Sequence, residues 1–92
     1  MTIELIFREF ELLLSDIAFA GLHNTQPIAL RKMNEIRHAL EEMQMQEGCG
    51  LIDRFAKSLT AYHMKEAYIG EPANDFCALE FYVKTVLGNL KP

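Results

Sequence analysis

TIELIFREFELLLSDIAFAG, residues 2–21, decides the fold of this chain. Turned by about 100° per residue, Ile3, Ile6, Phe7, Phe10, Leu13, Leu14 and Ile17 fall on one side of a helix, which is three- and four-residue spacing and not the alternation of a strand. Thr2 suits an N-cap and Gly21 a C-terminal stop.

Outward from this stretch, Gly and Pro gather at 21–27, 48–50 and 70–72 and cut the chain into four segments of similar length. The second is expected to begin near Thr25 to Pro27 and to end before Gly48, with Met33, Ile36, Leu40 and Met43 as a narrow stripe. The third spans about Leu51 to Ile69, with Leu51, Ile52, Phe55, Leu59, Tyr62 and Ile69 on one side and Gly70 as its stop. The fourth starts between Pro72 and Asp75 and runs to about Gly88, with Phe76, Leu79, Val83, Val86, Leu87 and Leu90 on its apolar face. Met33, Met43 and Met45 could make the second helix an adaptable surface, but at their spacing two of the three are more simply core. Four amphipathic helices joined by short connections predict an all-α, up-down-up-down four-helix bundle as one domain over residues 1–92. A three-helix core with a docked or swapped fourth helix is the alternative.

Composition narrows the function classes. The 92 residues are 50% hydrophobic and 24% charged, an ordinary globular balance that predicts folding without a cofactor. A net charge of -4 argues against nucleic acid as a partner, since that affinity comes from neutralising phosphates. Arg31, Lys32 and Arg37 are interleaved with Glu35, Glu41 and Glu42, and the pairings Arg31 with Glu35 and Arg37 with Glu41 read as a solvated helix face. Two cysteines, Cys49 and Cys77, match neither a disulfide framework nor a zinc pattern, and free thiols in the cytoplasm are expected. Glu4, Arg8, Glu9, Glu11 and Asp16 interrupt the N-terminal segment too often for a signal peptide or a membrane span.

Leu5, Leu12 and Phe19 depart from a plain bundle. They recur every seven residues and land almost opposite the main stripe of the first helix, so this helix is apolar along two edges. A helix packed on one side of a bundle needs one stripe, and the second seam is expected to meet another chain, first of all a second copy in a homodimer. Glu9 and Asp16 beside it would steer a basic partner by long-range attraction. The same acids argue against a membrane surface, which favours Lys and Arg. Phe81 and Tyr82 lie off the main face of the fourth helix, beside a strip formed by Cys77, Thr85 and Gly88, and are a secondary candidate for partner binding.

A polar alternative sits in the third helix. Heptad continuation places Glu66 at a core position with His63 one turn earlier, and with Tyr62 they could line an interior pocket as a catalytic or ligand-binding group. Glu35-x-x-His38 has the spacing of carboxylate-bridged metal bundles but points away from its stripe and lacks a second copy of the motif, so no metal is expected. His23 and Asn24 fit a turn. Cys49, between Gly48 and Gly50, is expected in an exposed loop, and that loop lacks the spacing of a nucleotide motif. The leading expectation is a small acidic helical interaction module, of the adaptor, regulator, inhibitor or chaperone kind and not an enzyme; the runner-up is a small enzyme or ligand-binding bundle built on His63 and Glu66.

Overall fold

The stripe of α1 (Ile3–Ala20) is buried as its spacing predicts: Ile6, Phe7, Phe10, Leu13, Leu14 and Ile17 all face inward. Thr2 caps the helix by accepting a hydrogen bond from the backbone N–H of Leu5 at 3.2 Å, and Gly21 closes it at φ 90° with its N–H on the Ile17 carbonyl. In this computed structural model, which describes residues 2–66 and 68–90, α1 is followed by a single 3-10 turn (Leu22–Asn24) and by α2 (Pro27–Glu42), α3 (Gln46–His63) and α4 (Gly70–Asn89).

The helices form an up-down-up-down four-helix bundle. Helix α1 packs on α2 and α4, and α3 packs on the same two, so the four close into a ring in which sequence neighbours are spatial neighbours. The α3–α4 contact is the most extensive side of this ring and the α1–α2 contact the sparsest. A common core draws on every helix, with Phe7, Phe10, Leu40, Phe55, Leu59, Leu79 and Val83 almost fully enclosed. Tilted aromatic pairs knit it together, Phe7 with Phe10 at 5.9 Å, Phe7 with Tyr82 at 5.8 Å and Phe55 with Phe76 at 5.7 Å between ring centroids, within the range where edge contacts add to burial. Among the described residues no polar or charged side chain is buried, so hydrophobic closure alone holds the interior.

Two helices end short of the glycines that bound their segments, for one shared reason. Helix α2 stops at Glu42, well before Gly48, and α3 stops at His63, well before Ile69. Each end turns through a left-handed residue that is not glycine, Gln44 at φ 59° and Lys65 at φ 62°. At the first, Gln44 N–H donates to Glu41 C=O at 3.0 Å and Met45 N–H to Leu40 C=O at 2.9 Å. At the second, Lys65 N–H donates to Tyr62 C=O at 3.0 Å and Glu66 N–H to Ala61 C=O at 2.8 Å. This paired pattern is the Schellman closure, which satisfies the last carbonyls of a helix and most often uses glycine at the left-handed position.

The three glycines expected to end or separate helices consequently sit elsewhere. Gly48 and Gly50 lie inside α3, and Gly70 opens α4. Cys49 is therefore a buried helical residue and not an exposed loop residue; its Sγ lies 3.6 Å from the Arg37 carbonyl oxygen of α2. Thr25 does not cap α2, because its hydroxyl donates back to Leu22 C=O at 2.8 Å while Pro27 takes the first helical turn. Ile69, placed on the core face of the third helix by the heptad, is exposed, and Ala67, which that expected helix covered, lies outside the described residues. Leu90, expected on the apolar face of the fourth helix, is also exposed.

Helices α2 and α3 are tied on the outside by Arg37. Its Nε and Nη2 donate to both carboxylate oxygens of Asp53 at 2.6 and 3.0 Å, and its Nη1 donates to Glu41 at 2.8 Å. The guanidinium hydrogen bonds hold the Asp53 carboxyl below the usual aspartate range. The expected pair of Arg31 with Glu35 is not formed among the described residues, and the second arginine carries the network alone.

Gly48 is where α3 approaches its neighbours most closely. A Cβ there would stand 2.7 Å from Leu40 Cδ1 and 2.9 Å from the Tyr82 ring, whereas one at Gly50 would meet nothing within 4 Å. Opposite signs are therefore expected two residues apart. Gly48→Ala should destabilise by about 1–3 kcal/mol through overpacking, and Gly50→Ala should stabilise by about 0.5–1 kcal/mol through helix propensity. Urea melts of the two variants check this, and equal stabilisation by both would mean that the Tyr82 contact has slack. Gln44→Gly, which relieves a left-handed side chain, should raise stability by about 1 kcal/mol in the same assay.

Candidate functional site

The exterior of α1 carries the first candidate. Leu5, Leu12 and Phe19 are 47%, 63% and 97% exposed, so the second edge of this helix lies outside the core that its first edge fills. Successive members of the series are separated by two turns, about 10.5 Å along the helix. Single exposed leucines need no explanation, but three in register on a helix whose other edge is sealed form an unpartnered stripe.

Leu12 also borders a cleft of about 430 Å³ between α1 and α2, where the bundle closes least tightly. Ile6, Leu13, Ile36 and Ala39 make its apolar floor, and Glu9, Asp16, Lys32 and Glu35 stand around it. A smaller depression continues from Leu13, Asp16 and Lys32 towards the start of α2, past the exposed Ile28. None of Glu9, Asp16, Lys32 or Glu35 forms an ion pair among the described residues. The α2 wall of this cleft, including Ile28 and Ala39, was not singled out from the sequence. Its residues become a site only when the gap between two particular helices is known, and no local pattern announces that gap.

The secondary candidate divides. Phe81 is 75% exposed beside a depression between the beginning of α3 and the end of α4. Tyr82, its neighbour, turns inward, making a tilted contact with the Phe7 ring and closing against Gly48, while also lining the same depression. Burial pushes the Tyr82 hydroxyl pKa up, with the negative charge of Glu47 adding to the effect. Cys77, Thr85 and Gly88 are exposed beside Phe81, and the Thr85 hydroxyl is used locally, donating to Phe81 C=O at 2.8 Å. Leu12 borders the α1–α2 cleft and Phe81 the α3–α4 depression, so the two line different depressions.

The polar trio does not assemble. Tyr62 is partly buried at the end of α3, His63 is exposed at the last helical position, and Glu66 lies beyond the left-handed Lys65, exposed to solvent. Heptad extrapolation put Glu66 in the core, but the helical register stops at His63. No described cavity is lined by these three residues, and among the described residues no three His, Cys, Asp or Glu side chains converge as metal ligands. Glu35 and His38 both face outward on α2, and His23 contacts the amide of Asn24 at 3.3 Å in the first connection.

No family model, curated protein or solved structure matches this chain. Among the described residues no helix is long and apolar enough to cross a membrane.

The change of environment at the two cysteines gives a direct check. Cys77 is exposed and Cys49 is enclosed between α2 and α3. A thiol reagent added to the native protein should modify Cys77 rapidly and Cys49 only as fast as the bundle opens, with urea bringing both to one rate. Fast native labelling of Cys49, located by peptide mass, would place α3 wrongly at its beginning.

Proposed function

We propose that this chain is a small helical interaction module that lays another polypeptide along the outward edge of α1. Leu5, Leu12 and Phe19 are the principal contacts, with Phe81 a separate, secondary one. The observation that carries this reading is that the three residues stand in one exposed line on a helix whose opposite edge is already fully used by the core.

Magnitudes set what else a complex needs. Full burial of a leucine or phenylalanine stabilises by about 1.5–3 kcal/mol, and three partly exposed side chains recover less than three times that. Association itself costs about 4–15 kcal/mol in lost freedom. The seam alone supports weak binding, so a durable complex draws in the cleft beside Leu12 and the charges around it. An interior chemistry has no such support, since the buried surface is apolar throughout the described residues and Glu66 meets solvent.

The test is site-specific crosslinking in the cells that make the protein. A photoreactive phenylalanine analogue at position 12 should give discrete protein adducts, the same group at the exposed position 57 of α3 should not, and Leu5→Ser with Phe19→Ser should remove the adducts while circular dichroism stays unchanged. An uncrosslinked chain at position 12, or equal adducts at both positions, overturns the proposal. Light scattering over a range of concentrations reports whether a partner that does appear is a second copy.

A further inference from the structure

We infer that the seam of α1 and the α1–α2 cleft together receive a positively charged amphipathic helix from a different protein. This rests on the interaction reading above and narrows it to one occupant.

Shape gives the first half of the argument. From Ile6 to Ala20, the residues of α1 that line the cleft and its continuation cover roughly 20 Å of helix. Two adjoining depressions along that length, the larger bordered by Leu12 and floored by Ile6, Leu13 and Ile36, offer the apolar stripe of another helix a place as a third ridge across the sparsest side of the bundle.

Charge gives the second half. Helix α1 carries Glu4, Glu9, Glu11 and Asp16 against a single arginine, so three of the four net negative charges of the chain belong to one helix. That arginine, Arg8, already sits 3.4 Å from Glu11. Across the cleft Glu35 adds a further acid, and Lys32 is the one cation of the lining. Glu9 and Asp16 are seven residues apart, the interval at which a helical partner repeats its flanking positions.

A second copy of the chain fits this pattern poorly. An antiparallel α1 sets the Glu9 and Asp16 edge against itself. A parallel α1 sets that edge against one bearing Glu4 and Glu11, with Arg8 engaged. Like charges brought together in this way disfavour pairing, and an anionic lipid surface meets the same repulsion. A helix with apolar residues at heptad spacing and Lys or Arg beside them satisfies both the depressions and their rim.

The experiment uses the full chain and two fluorescent peptide probes, amphipathic helices with leucines at heptad spacing flanked by lysines in one and by glutamates in the other. Anisotropy should show the lysine probe binding at least about tenfold more tightly than the glutamate probe, with an affinity that falls as salt rises. Leu12→Ser should weaken the lysine probe about tenfold with an unchanged melting temperature. Glu9→Lys with Asp16→Lys should transfer the preference to the glutamate probe, while the same reversal at Glu66 and Glu71, which are exposed and line neither depression, should not.

The inference is overturned if neither probe binds, if both bind alike, if Leu12→Ser has no effect, or if the reversal at Glu66 and Glu71 acts as strongly as that at Glu9 and Asp16. It also falls if light scattering finds a dimer that Leu12→Ser dissolves, or if the protein floats with phosphatidylserine vesicles. Adducts at position 12 that persist alongside such results would leave the interaction reading standing and remove only the charge-selected partner.

Discussion

Phe7 and Phe10 lie on the inner edge of α1 with no exposed surface, between the faces of α2 and α4, and the ring of helices closes around them. A chain of 92 residues buries only about two thirds of the surface it exposes when unfolded. The interior therefore has little room for groups that contribute nothing to closure, and it contains no buried polar side chain among the described residues. That economy is why the function we propose lies on the outside of the bundle. With the inner edge of α1 committed to the core, chemistry in the middle of the bundle would have needed a desolvated carboxylate or imidazole, and the one residue spaced to be there, Glu66, is carried into solvent by the turn at Lys65.

The apolar stripes were legible in the sequence and the helix ends were not, and both outcomes have physical causes. A stripe is set by many residues acting together, so Ile6, Phe10, Ile36, Phe55 and Leu79 declare their burial through spacing alone. An end is set by one residue. Glycine is the favoured left-handed closer, but the closure itself is made by backbone hydrogen bonds that Gln44 and Lys65 supply as well. Reading Gly48 and Gly70 as stops moved the start of α3 by five residues, which is enough to turn Cys49 from a buried contact of α2 into an apparent surface thiol. Gly48 has a different task, the close passage of α3 against Leu40 and Tyr82, and spacing within one helix cannot reveal a need that arises from two others.

The same distinction runs through the surface. Leu5, Leu12 and Phe19 were legible because a seven-residue repeat is a property of α1 alone. The cleft beside them was not, because its α2 wall depends on how far apart two helices settle. Tyr82 shows the limit of reading one helix at a time: it lies off the main apolar face of α4, yet its ring reaches Phe7 and contributes to the core.

The acids of α1 remain to be accounted for. Glu4 sits in the first turn, where a negative charge favours the helix, but Asp16 lies in the half where the helix dipole opposes it, and no basic residue stands in the last turn. Helix stability therefore does not explain the run of acids. Solubility asks for charges of both signs interspersed over the surface, which a run of acids on one helix does not supply. What these carboxylates share is position along the borders of an exposed apolar line, where, on the interaction we propose, they would hold identical copies apart and leave the line free for a helix of opposite charge. In that proposal one arrangement both separates the chain from itself and selects its partner, on the helix whose other edge closes the core.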